Sequence, residues 1–379
     1  MFKVMHIITE LNVGGAEIML KKLLETMDPE RFKQSVLSLQ NKGPIGAQIE
    51  KLGIPVYGLN LHRPFSRIRA LTTLRMILSE QHPDLIQGWL YHGNLAASLL
   101  RFLKVSNRPV IWNIRCSLNS FKLEKPLTYM AIRAGVLFSR SVAGILYNSH
   151  FSTDQHSAIG YSRGKACIIP NGFDLSRFKP NLYARQKVRS ALKVPVDEIL
   201  IGLIARYHPM KDHANFLQAA SLIAKQRKNV RFLILGGDVD KRASGLIGIV
   251  EALGLRGRVI FLGERPDVES FYPALDIASL SSYGEGFPNV IGEAMACCVP
   301  CVVTDVGDCL QLVGRTGIVV PAKNPKALKE GWEELIDKGQ AERNKLGTAA
   351  RRRILENFEI SDIAGRYEEL YQRVMEAKA

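Results

Sequence analysis

The sequence predicts an α/β protein built from two domains, and two observations support this prediction. Short apolar runs of strand type end in glycine-rich or polar loops, and amphipathic stretches of helical period follow them along most of the chain. The chain also has 379 residues, which is too many for one compact core. A polar helical stretch over residues 177–197 marks the predicted junction, so residues 1–180 and 181–359 form the two predicted domains.

The composition is that of an ordinary globular protein, with 46% hydrophobic and 23% charged residues. The chain begins directly with an alternating strand pattern, which is not the pattern of a signal peptide, and no run of eighteen apolar residues is present. The six cysteines lack a second C-x2-C pair or a histidine cluster, so we interpret them as small core residues rather than as zinc ligands or redox groups. These observations predict a cytoplasmic protein.

The net charge of +15 is concentrated in the first half of the chain. Residues 1–180 contain 23 Lys and Arg against 11 Asp and Glu, whereas residues 181–379 contain 28 against 25. A basic surface attracts nucleic acid, anionic lipid or a substrate that carries phosphates. No motif with interleaved aromatic residues indicates nucleic-acid binding, so we predict an anionic membrane surface or an anionic substrate as partner. A basic surface without any partner is the alternative.

In the first domain, a strand over residues 2–8 leads into a loop with Gly14 and Gly15, and a helix follows. Backbone N–H groups and a helix N-terminus converge in such a turn, which favours a phosphate, although a plain tight turn requires the same glycines. A later strand, over residues 84–90, leads into His92. Because open α/β sheets bind ligands at the carboxyl ends of their strands, this position indicates a functional histidine, with a structural histidine as the alternative.

Residues 118–140 combine basic and apolar side chains. Such a stretch is typical of a segment that lies against an anionic bilayer surface, and also of a surface helix with one buried face. The sequence leaves both interpretations open. The residues that give the stretch this character are Phe121, Lys122, Lys125, Leu127, Tyr129, Met130, Ile132, Arg133, Val136, Leu137, Phe138 and Arg140.

In the second domain, a strand over residues 198–206 is followed by a loop that carries Arg206 and Lys211, and then by a helix over residues 214–225. Two cations beside the positive end of a helix dipole form a binding site for a diphosphate. The alternative is a solvated basic loop. The next strand ends at Gly237, the second glycine of a pair.

The stretch 281–300 lies between a strand-like run over residues 276–281 and another over residues 299–304. The local order is therefore strand, glycine-rich loop, helix, strand, which is the order of a βαβ unit. Glu285 lies on the loop, and Glu293 lies in the first helical turns after Pro288. A loop acid at the carboxyl end of a strand is positioned for a ligand, and the helix acid is placed to accept hydrogen bonds from vicinal hydroxyls such as those of a ribose. The alternative is an acid that stabilises the helix dipole together with a loop acid in water.

Taken together, these positions resemble the retaining glycosyltransferases of family 4 over nearly the whole chain. The matching motifs are Gly14-Gly15-Ala16-Glu17, Tyr91-His92-Gly93, Asn148-Ser149, the string from Ile169 to Asp174, Arg206 with Lys211, Gly236-Gly237, and the E-x7-E string from Glu285 to Glu293. The resemblance implies the GT-B fold, in which two Rossmann-like domains face each other across a cleft. It also implies that a C-terminal helix, here within residues 360–379, packs back on the first domain. Two positions depart from the family pattern, because Ala205 and Asp212 stand where glycine is usual.

The resemblance further implies the catalytic residues. Arg206 and Lys211 neutralise the diphosphate, which is the leaving group. Glu285 contacts the transferred sugar, and His92 binds a sugar hydroxyl near the anomeric carbon. The implied mechanism is front-face, so the leaving group departs and the acceptor attacks on the same side, and electrostatic stabilisation supplies most of the rate.

Donor binding is implied for a wider set of residues in both predicted domains. Glu293 holds the ribose hydroxyls, while Gly14 and Gly15 offer backbone N–H groups to the same phosphates as the cleft closes. The other residues implied in donor binding are Gly237, Phe287, Pro288, Asn289 and Val290.

The implied activity is the transfer of a hexosyl group from a nucleotide-diphosphate sugar, with UDP preferred to GDP. The implied acceptor is a glycan or a lipid-linked glycan in polysaccharide or lipopolysaccharide biosynthesis. We therefore expect a cytoplasmic enzyme, with peripheral binding to the inner face of the cell membrane as a further possibility. No Asp-x-Asp motif stands where one would hold a divalent ion, so we expect no metal and no cofactor, with the nucleotide sugar as co-substrate.

Three other functions are alternatives. A nucleotide-sugar 2-epimerase shares the architecture but lacks the string Glu-Gly-Phe-Pro followed by Glu-Ala-Met. A nicotinamide dehydrogenase would carry G-x-G-x-x-G after the first strand and an acid about twenty residues later, and neither is present. A non-enzymatic protein that binds anionic ligands is supported by net charge alone.

Overall fold

A computed structural model of the chain describes residues 1–118, 125–240 and 243–377, and the side chains of residues 64–68 and 243–244 lie outside that description. The chain divides into two compact units, one formed by Met1–Gly172 with Ile360–Ala379 and the other by Phe173–Glu359. The second unit therefore begins before the predicted junction at residue 180. The physical reason is that Phe173 and Phe178 are buried in its apolar core.

The first unit contains a seven-stranded parallel sheet with helices between the strands. Its strands are β1 (Phe2–Ile8), β2 (Phe32–Ser38), β3 (Val56–Gly58), β4 (Leu85–Trp89), β5 (Val110–Ile114), β6 (Gly144–Tyr147) and β7 (Ala166–Ile168). Its helices before the chain leaves the unit are α1 (Gly15–Thr26), α2 (Gly43–Glu50), α3 (Pro64–Gln81), α4 (Leu90–Phe102), α5 (Pro126–Phe138) and α6 (His150–Ala158). The strand order across the sheet is β3-β2-β1-β4-β5-β6-β7.

Both faces of this sheet are buried. On β1, Val4 and Ile8 pack in one apolar cluster, whereas Met5 and Ile7 pack in a second cluster on the other face. Because side chains alternate between the faces of a strand, a sheet covered on both sides requires apolar residues at consecutive positions. This requirement explains the unbroken apolar runs of the sequence.

The second unit has the same plan around a six-stranded parallel sheet. Its strands are β8 (Ile199–Ile204), β9 (Val230–Leu235), β10 (Val259–Leu262), β11 (Ile277–Leu280), β12 (Cys301–Thr304) and β13 (Gly317–Val320), in the order β10-β9-β8-β11-β12-β13. Its helices are α7 (Leu182–Ala191), α8 (His213–Gln226), α9 (Ala243–Ala252), α10 (Asn289–Ala296), α11 (Cys309–Val313), α12 (Pro325–Asp337) and α13 (Gly339–Asn357). The two sheets confirm the predicted α/β class with two Rossmann-like domains.

The last helix, α14 (Ile360–Glu376), belongs to the first unit, as the family resemblance implies. Its Tyr367 and Tyr371 are fully buried. The Arg115 guanidinium donates a hydrogen bond from Nη1 to the Tyr367 hydroxyl at 2.7 Å, and the Tyr371 hydroxyl donates to Gln87 Oε1. Aromatic packing and buried hydrogen bonds therefore attach the end of the chain to the first sheet.

In each sheet the strand order reverses beside the first strand of the unit. The reversal lies between β1 and β4 in the first unit and between β8 and β11 in the second. Open α/β sheets bind ligands outside the carboxyl ends of their strands at such a point. The loops that follow these four strands are therefore the candidate ligand loops.

Helix α5 covers most of the basic and apolar stretch 118–140, and it is a surface helix with one buried face. Ala131 and Ile132 are buried, whereas Leu137 is 80% exposed. Phe121 and Lys122, which contributed to the predicted character of the stretch, lie outside the described residues. Within the described ranges, no helix combines the length and the apolar character that a bilayer span requires.

All six cysteines are free thiols. Cys297, Cys301 and Cys309 are buried, and burial raises the pKa of the Cys301 thiol. A buried thiol with a raised pKa is a poor nucleophile and metal ligand, so these three agree with the interpretation as core residues, whereas Cys116, Cys167 and Cys298 are only partly buried.

Candidate active site

The loop between β8 and α8 presents Lys211 at the start of a helix. A short 3-10 turn, Pro209–Lys211, is followed by Asp212 in the left-handed backbone conformation, with φ of 47°. The Asp212 carboxylate accepts a hydrogen bond from the Asn215 N–H at 3.2 Å and so caps α8. Glycine adopts this conformation without cost, and aspartate is among the few other residues that tolerate it. The departure from the family's glycine is therefore compatible with the loop.

Lys211 and Glu285 form an ion pair, with Nζ 2.6 Å from Oε1. The Ser282 hydroxyl donates to the same carboxylate oxygen at 2.7 Å, and the Ser281 hydroxyl donates to the Lys211 carbonyl at 2.8 Å. The side chains of the pair are 22% and 11% exposed, respectively. Because β8 and β11 are parallel neighbours, their carboxyl ends bring the predicted cation and the predicted acid together.

Arg206 and Gly237 belong to the same edge of the second sheet. A methyl group placed on Gly237 would lie in ordinary contact with the Arg206 Cβ at 3.8 Å and with Glu264 Oε2 at 3.7 Å, so Gly237 lies directly beside the arginine. His208, which the sequence analysis did not single out, lies among the same charges. Burial and the positive charges of Arg206 and Lys211 lower the pKa of His208, whereas Glu285 opposes that shift. The loop thus holds a neutral imidazole between two cations.

The loop after β12 supports the loop that carries Glu285. Gly307 has φ of 55°, and a methyl group on it would lie 2.5 Å from the Glu285 carbonyl oxygen and 2.7 Å from that of Gly286. The Asp308 N–H donates to the Gly286 carbonyl at 3.1 Å. Nothing local in the sequence of residues 304–308 indicates which neighbouring loop they support.

Helix α10 carries Glu293 and begins directly after Pro288. The Tyr272 hydroxyl donates a hydrogen bond to Glu293 Oε2 at 2.6 Å, and Tyr272 is fully buried. Burial and the neighbouring carboxylate raise the pKa of Tyr272, so the phenol remains a donor. Glu293 is therefore held in place by a residue that sequence analysis missed.

The remaining predicted donor residues follow Glu285 on one segment. Phe287 is buried and its ring stacks on Phe173 with centroids 6.2 Å apart, while Asn289 and Val290 form the first turn of α10. The stack of Phe287 on Phe173 holds the loop in place, and the chain continues from this loop directly into α10.

In the first unit, Gly14 is the N-cap of α1 and Gly15 is its first residue. A methyl group on Gly14 would lie 2.3 Å from Glu17 Oε2, so the Glu17 carboxylate occupies the space that this glycine leaves. Glu17 is buried, and burial raises its pKa. The loop that we predicted to receive a phosphate thus already has an acid beside it.

His92 lies in the first turn of α4, half-buried, and burial lowers its pKa. A methyl group on the next residue, Gly93, would lie 2.3 Å from the Ile7 carbonyl oxygen, which explains the close packing of α4 against β1. His92 lines a cavity of about 830 Å³ within the first unit, together with Glu10 and Lys125. The predicted histidine therefore faces a ligand-sized space.

Among the described residues, no group of three or more His, Cys, Asp or Glu side chains is placed to hold a metal ion. The charged side chains described above at this edge of the second sheet are those of Arg206, Lys211 and Glu285.

Two family models match this chain. The model described as "Glycosyl transferases group 1" matches residues 184–353, and the model described as "Glycosyltransferase Family 4" matches residues 13–177. Their matched ranges lie in the two halves of the chain.

Similar proteins match over most of the chain. The D-inositol 3-phosphate glycosyltransferase of Corynebacterium urealyticum (strain ATCC 43042 / DSM 7109) is 28% identical over 366 residues, covering 86% of this chain and 83% of that protein. EpsF of Bacillus subtilis (strain 168), provisionally named a glycosyltransferase, is 26% identical over 322 residues, covering 80% and 79%. The crystal structure of Anabaena Alr3699/HepE in complex with UDP-glucose has a TM-score of 0.84 at 22% identity, covering 98% of this chain and 100% of that one. At this identity, the structural likeness shows a shared fold.

Proposed function

The chain belongs to glycosyltransferase family 4, and on this premise we propose that it is a retaining hexosyltransferase whose donor is a UDP-sugar in preference to a GDP-sugar. The observation that carries the proposal is the Lys211–Glu285 pair at the carboxyl edge of the second sheet. A cation for a diphosphate and an acid for a sugar lie there within hydrogen-bonding distance. The Anabaena structure is a complex with UDP-glucose, which supports a UDP-sugar as the donor.

In this proposal, Arg206 and Lys211 stabilise the diphosphate as it leaves with negative charge. Preorganised charges of this kind supply a large part of an enzyme's rate. Glu285 orients Lys211 and contacts the transferred sugar, and His92, neutral at pH 7 because burial lowers its pKa, binds a sugar hydroxyl. Since protein cations serve the diphosphate, we propose that transfer proceeds without a metal ion.

The role proposed for Gly14 and Gly15 carries a condition. Their backbone N–H groups can meet a phosphate only if the Glu17 carboxylate turns away or takes up a proton, because two anions repel each other in a half-buried site. The raised pKa of Glu17 favours the protonated form when a phosphate approaches.

For the acceptor, we propose a glycan or a lipid-linked glycan of polysaccharide or lipopolysaccharide biosynthesis, used by a cytoplasmic enzyme at the anionic inner face of the membrane. The cavity beside His92 supports this proposal, because Lys125 and Leu127 both line it. Helix α5 also exposes Leu127 and Leu137 together with Arg133 on its outer face. Apolar side chains flanked by cations are the chemistry of an interfacial helix.

The donor is tested by thermal unfolding with nucleoside diphosphates, followed by a hydrolysis assay. Because a ligand that binds only the folded state raises the melting temperature, we expect UDP at 100 times its Kd to stabilise the protein by about 2.7 kcal/mol.

In the hydrolysis assay we expect slow release of UDP from a UDP-sugar, with and without EDTA. Loss of release in EDTA would remove the metal-free mechanism, and a product that is an epimer of the donor would indicate a 2-epimerase. The absence of any response to nucleotides would contradict a transferase.

Tyr272→Phe tests the assignment of Glu293 to donor binding. The variant keeps the buried ring and removes the hydrogen bond to the carboxylate, so we expect the donor KM to rise about tenfold, with kcat nearly unchanged. Tyr183→Phe is the control, because Tyr183 is 73% exposed. An unchanged KM in a normally folded Tyr272 variant would show that Glu293 does not bind the donor.

A further inference from the structure

The second unit has another cavity, of about 190 Å³, at the opposite edge of its sheet. Its wall includes Leu275 and Asp276, which precede β11, and Val299 and Pro300, which precede β12. It therefore lies at the amino ends of these strands, whereas the candidate active site lies at their carboxyl ends. Such a cavity is too small for a nucleotide sugar, since pockets for ligands of that size have about 300 Å³ or more.

The charge around this cavity is strongly positive. Among the described residues that line it, Asp276 is the one acid, and both of its carboxylate oxygens accept hydrogen bonds. Oδ1 accepts from Arg185 at 2.7 Å, and Oδ2 accepts from Arg189 at 2.9 Å and from the Leu200 N–H at 2.8 Å. Arg185 and a third arginine, Arg343, line the cavity. One carboxylate thus faces three guanidinium groups.

Arg343 is only 7% exposed, and within the described part of the chain it forms no ion pair. Its Nη1 donates to the Leu335 and Ile336 carbonyls at 3.2 Å, at the end of α12, which offsets part of its charge through the helix dipole. Its nearest acid, Asp276, interacts with it electrostatically but is already bonded to Arg185 and Arg189, and a buried cation whose charge is only partly balanced is costly to keep. An anion in the cavity would supply the missing negative charge.

Two amide side chains that line the cavity lie beside Arg343 on its own helix. Gln340 and Asn344 lie on the same face of α13 as Arg343, three residues before it and one after it, and both line the cavity. Side-chain amides and a guanidinium are the groups that proteins use to bind oxyanions. We propose that this cavity binds a small anion of the phosphate class, such as inorganic phosphate or the phosphate group of a monoester.

The position of the cavity connects it to the helix that carries Glu293. Cys297 and Cys298, at the end of α10, line the cavity, and so does Pro273, the neighbour of Tyr272. A bound phosphate would therefore lie against both elements that hold Glu293. The binding itself does not depend on the proposed transferase activity.

The test is isothermal titration of the full chain with inorganic phosphate at constant ionic strength. Because Arg206 and Lys211 also attract phosphate, the titration is made in the Arg206→Gln, Lys211→Gln double variant. We expect one phosphate per chain in that background. Loss of all phosphate binding in the double variant would place the anion at the donor loop and overturn the proposal.

Arg343→Gln in the same background is expected to weaken phosphate binding at least tenfold, since it removes a charged hydrogen-bond donor. Arg352→Gln is the matched control, because it removes the same charge from an exposed position of α13. Unchanged affinity in a folded Arg343 variant would overturn the proposal.

A second pair of variants decides the question if Arg343→Gln does not fold. Gln340 is exposed at the mouth of the cavity, so Gln340→Glu and Gln340→Lys leave the packing intact. We expect Gln340→Glu to weaken phosphate binding about threefold and Gln340→Lys to strengthen it by a similar factor. A purely structural role of this position would not produce opposite shifts, and two equal affinities would contradict the proposed site.

Discussion

Lys211→Ala is expected to lower kcat by two to three orders of magnitude, which corresponds to about 3 kcal/mol of activation free energy. The variant removes the cation that we assign to the departing diphosphate. It also removes the partner of Glu285, whose carboxylate is only 11% exposed and would keep the Ser282 hydroxyl as its remaining described donor. Steady-state kinetics with a UDP-sugar, together with the melting temperature, measures both effects.

The matched control is Lys225→Ala, because Lys225 is exposed near the end of α8 and contacts none of the site loops described above. Comparison of Lys211→Ala, Glu285→Gln and their double variant should show strong non-additivity, since the two side chains bond to each other. Near-normal turnover in Lys211→Ala would remove the diphosphate assignment and, with it, the main support for the proposed reaction.

Gly307→Ala is expected to lower the free energy of unfolding by about 2–4 kcal/mol and to reduce kcat/KM as well. Part of the loss is the cost of a left-handed backbone for alanine, about 1–2 kcal/mol. The rest arises because the new methyl group would lie 2.5 Å from the Glu285 carbonyl oxygen, so the loop must move. Chemical denaturation measures the first effect, and donor kinetics measures the second.

Gly254→Ala separates these two causes. Gly254 has φ of 68°, and a methyl group on it would meet no atom within 4 Å. This variant should therefore lose only the backbone term, with unchanged kinetics. If Gly254→Ala and Gly307→Ala were equally destabilised and equally active, the contact between the two loops would have no role in shaping the site.

The sequence predicted the α/β class and the loops that carry the candidate site, because strand ends and glycine pairs are local features. It did not predict the Lys211–Glu285 bond, since 74 residues separate the two side chains. Their contact depends on β8 and β11 being neighbours, which is a property of the strand order. Tyr272 was missed for the same reason, because it precedes β11 on a short turn while its partner Glu293 follows that strand.

The sequence also did not predict which side chains are in steric contact. The motif that begins with Gly14 was interpreted as a phosphate-binding loop. The structure shows that the nearest group to the position of a side chain on Gly14 is the carboxylate of Glu17. Similarly, the polar character of residues 177–197 suggested a junction there, whereas buried Phe173 already belongs to the second unit. Hydropathy alone does not show which of two cores an aromatic residue joins.

The return of α14 to the first unit has a consequence for biosynthesis. The ribosome makes β1 to β7 early, but Tyr367 and Tyr371, which complete that core, emerge only after the whole of Phe173–Glu359 has been translated. Until then the sheet of the first unit lacks its last helix, whereas the second unit has all its strands as soon as β13 has been made. Of the two units, the one whose sheet is translated earlier is therefore the one whose core is completed later.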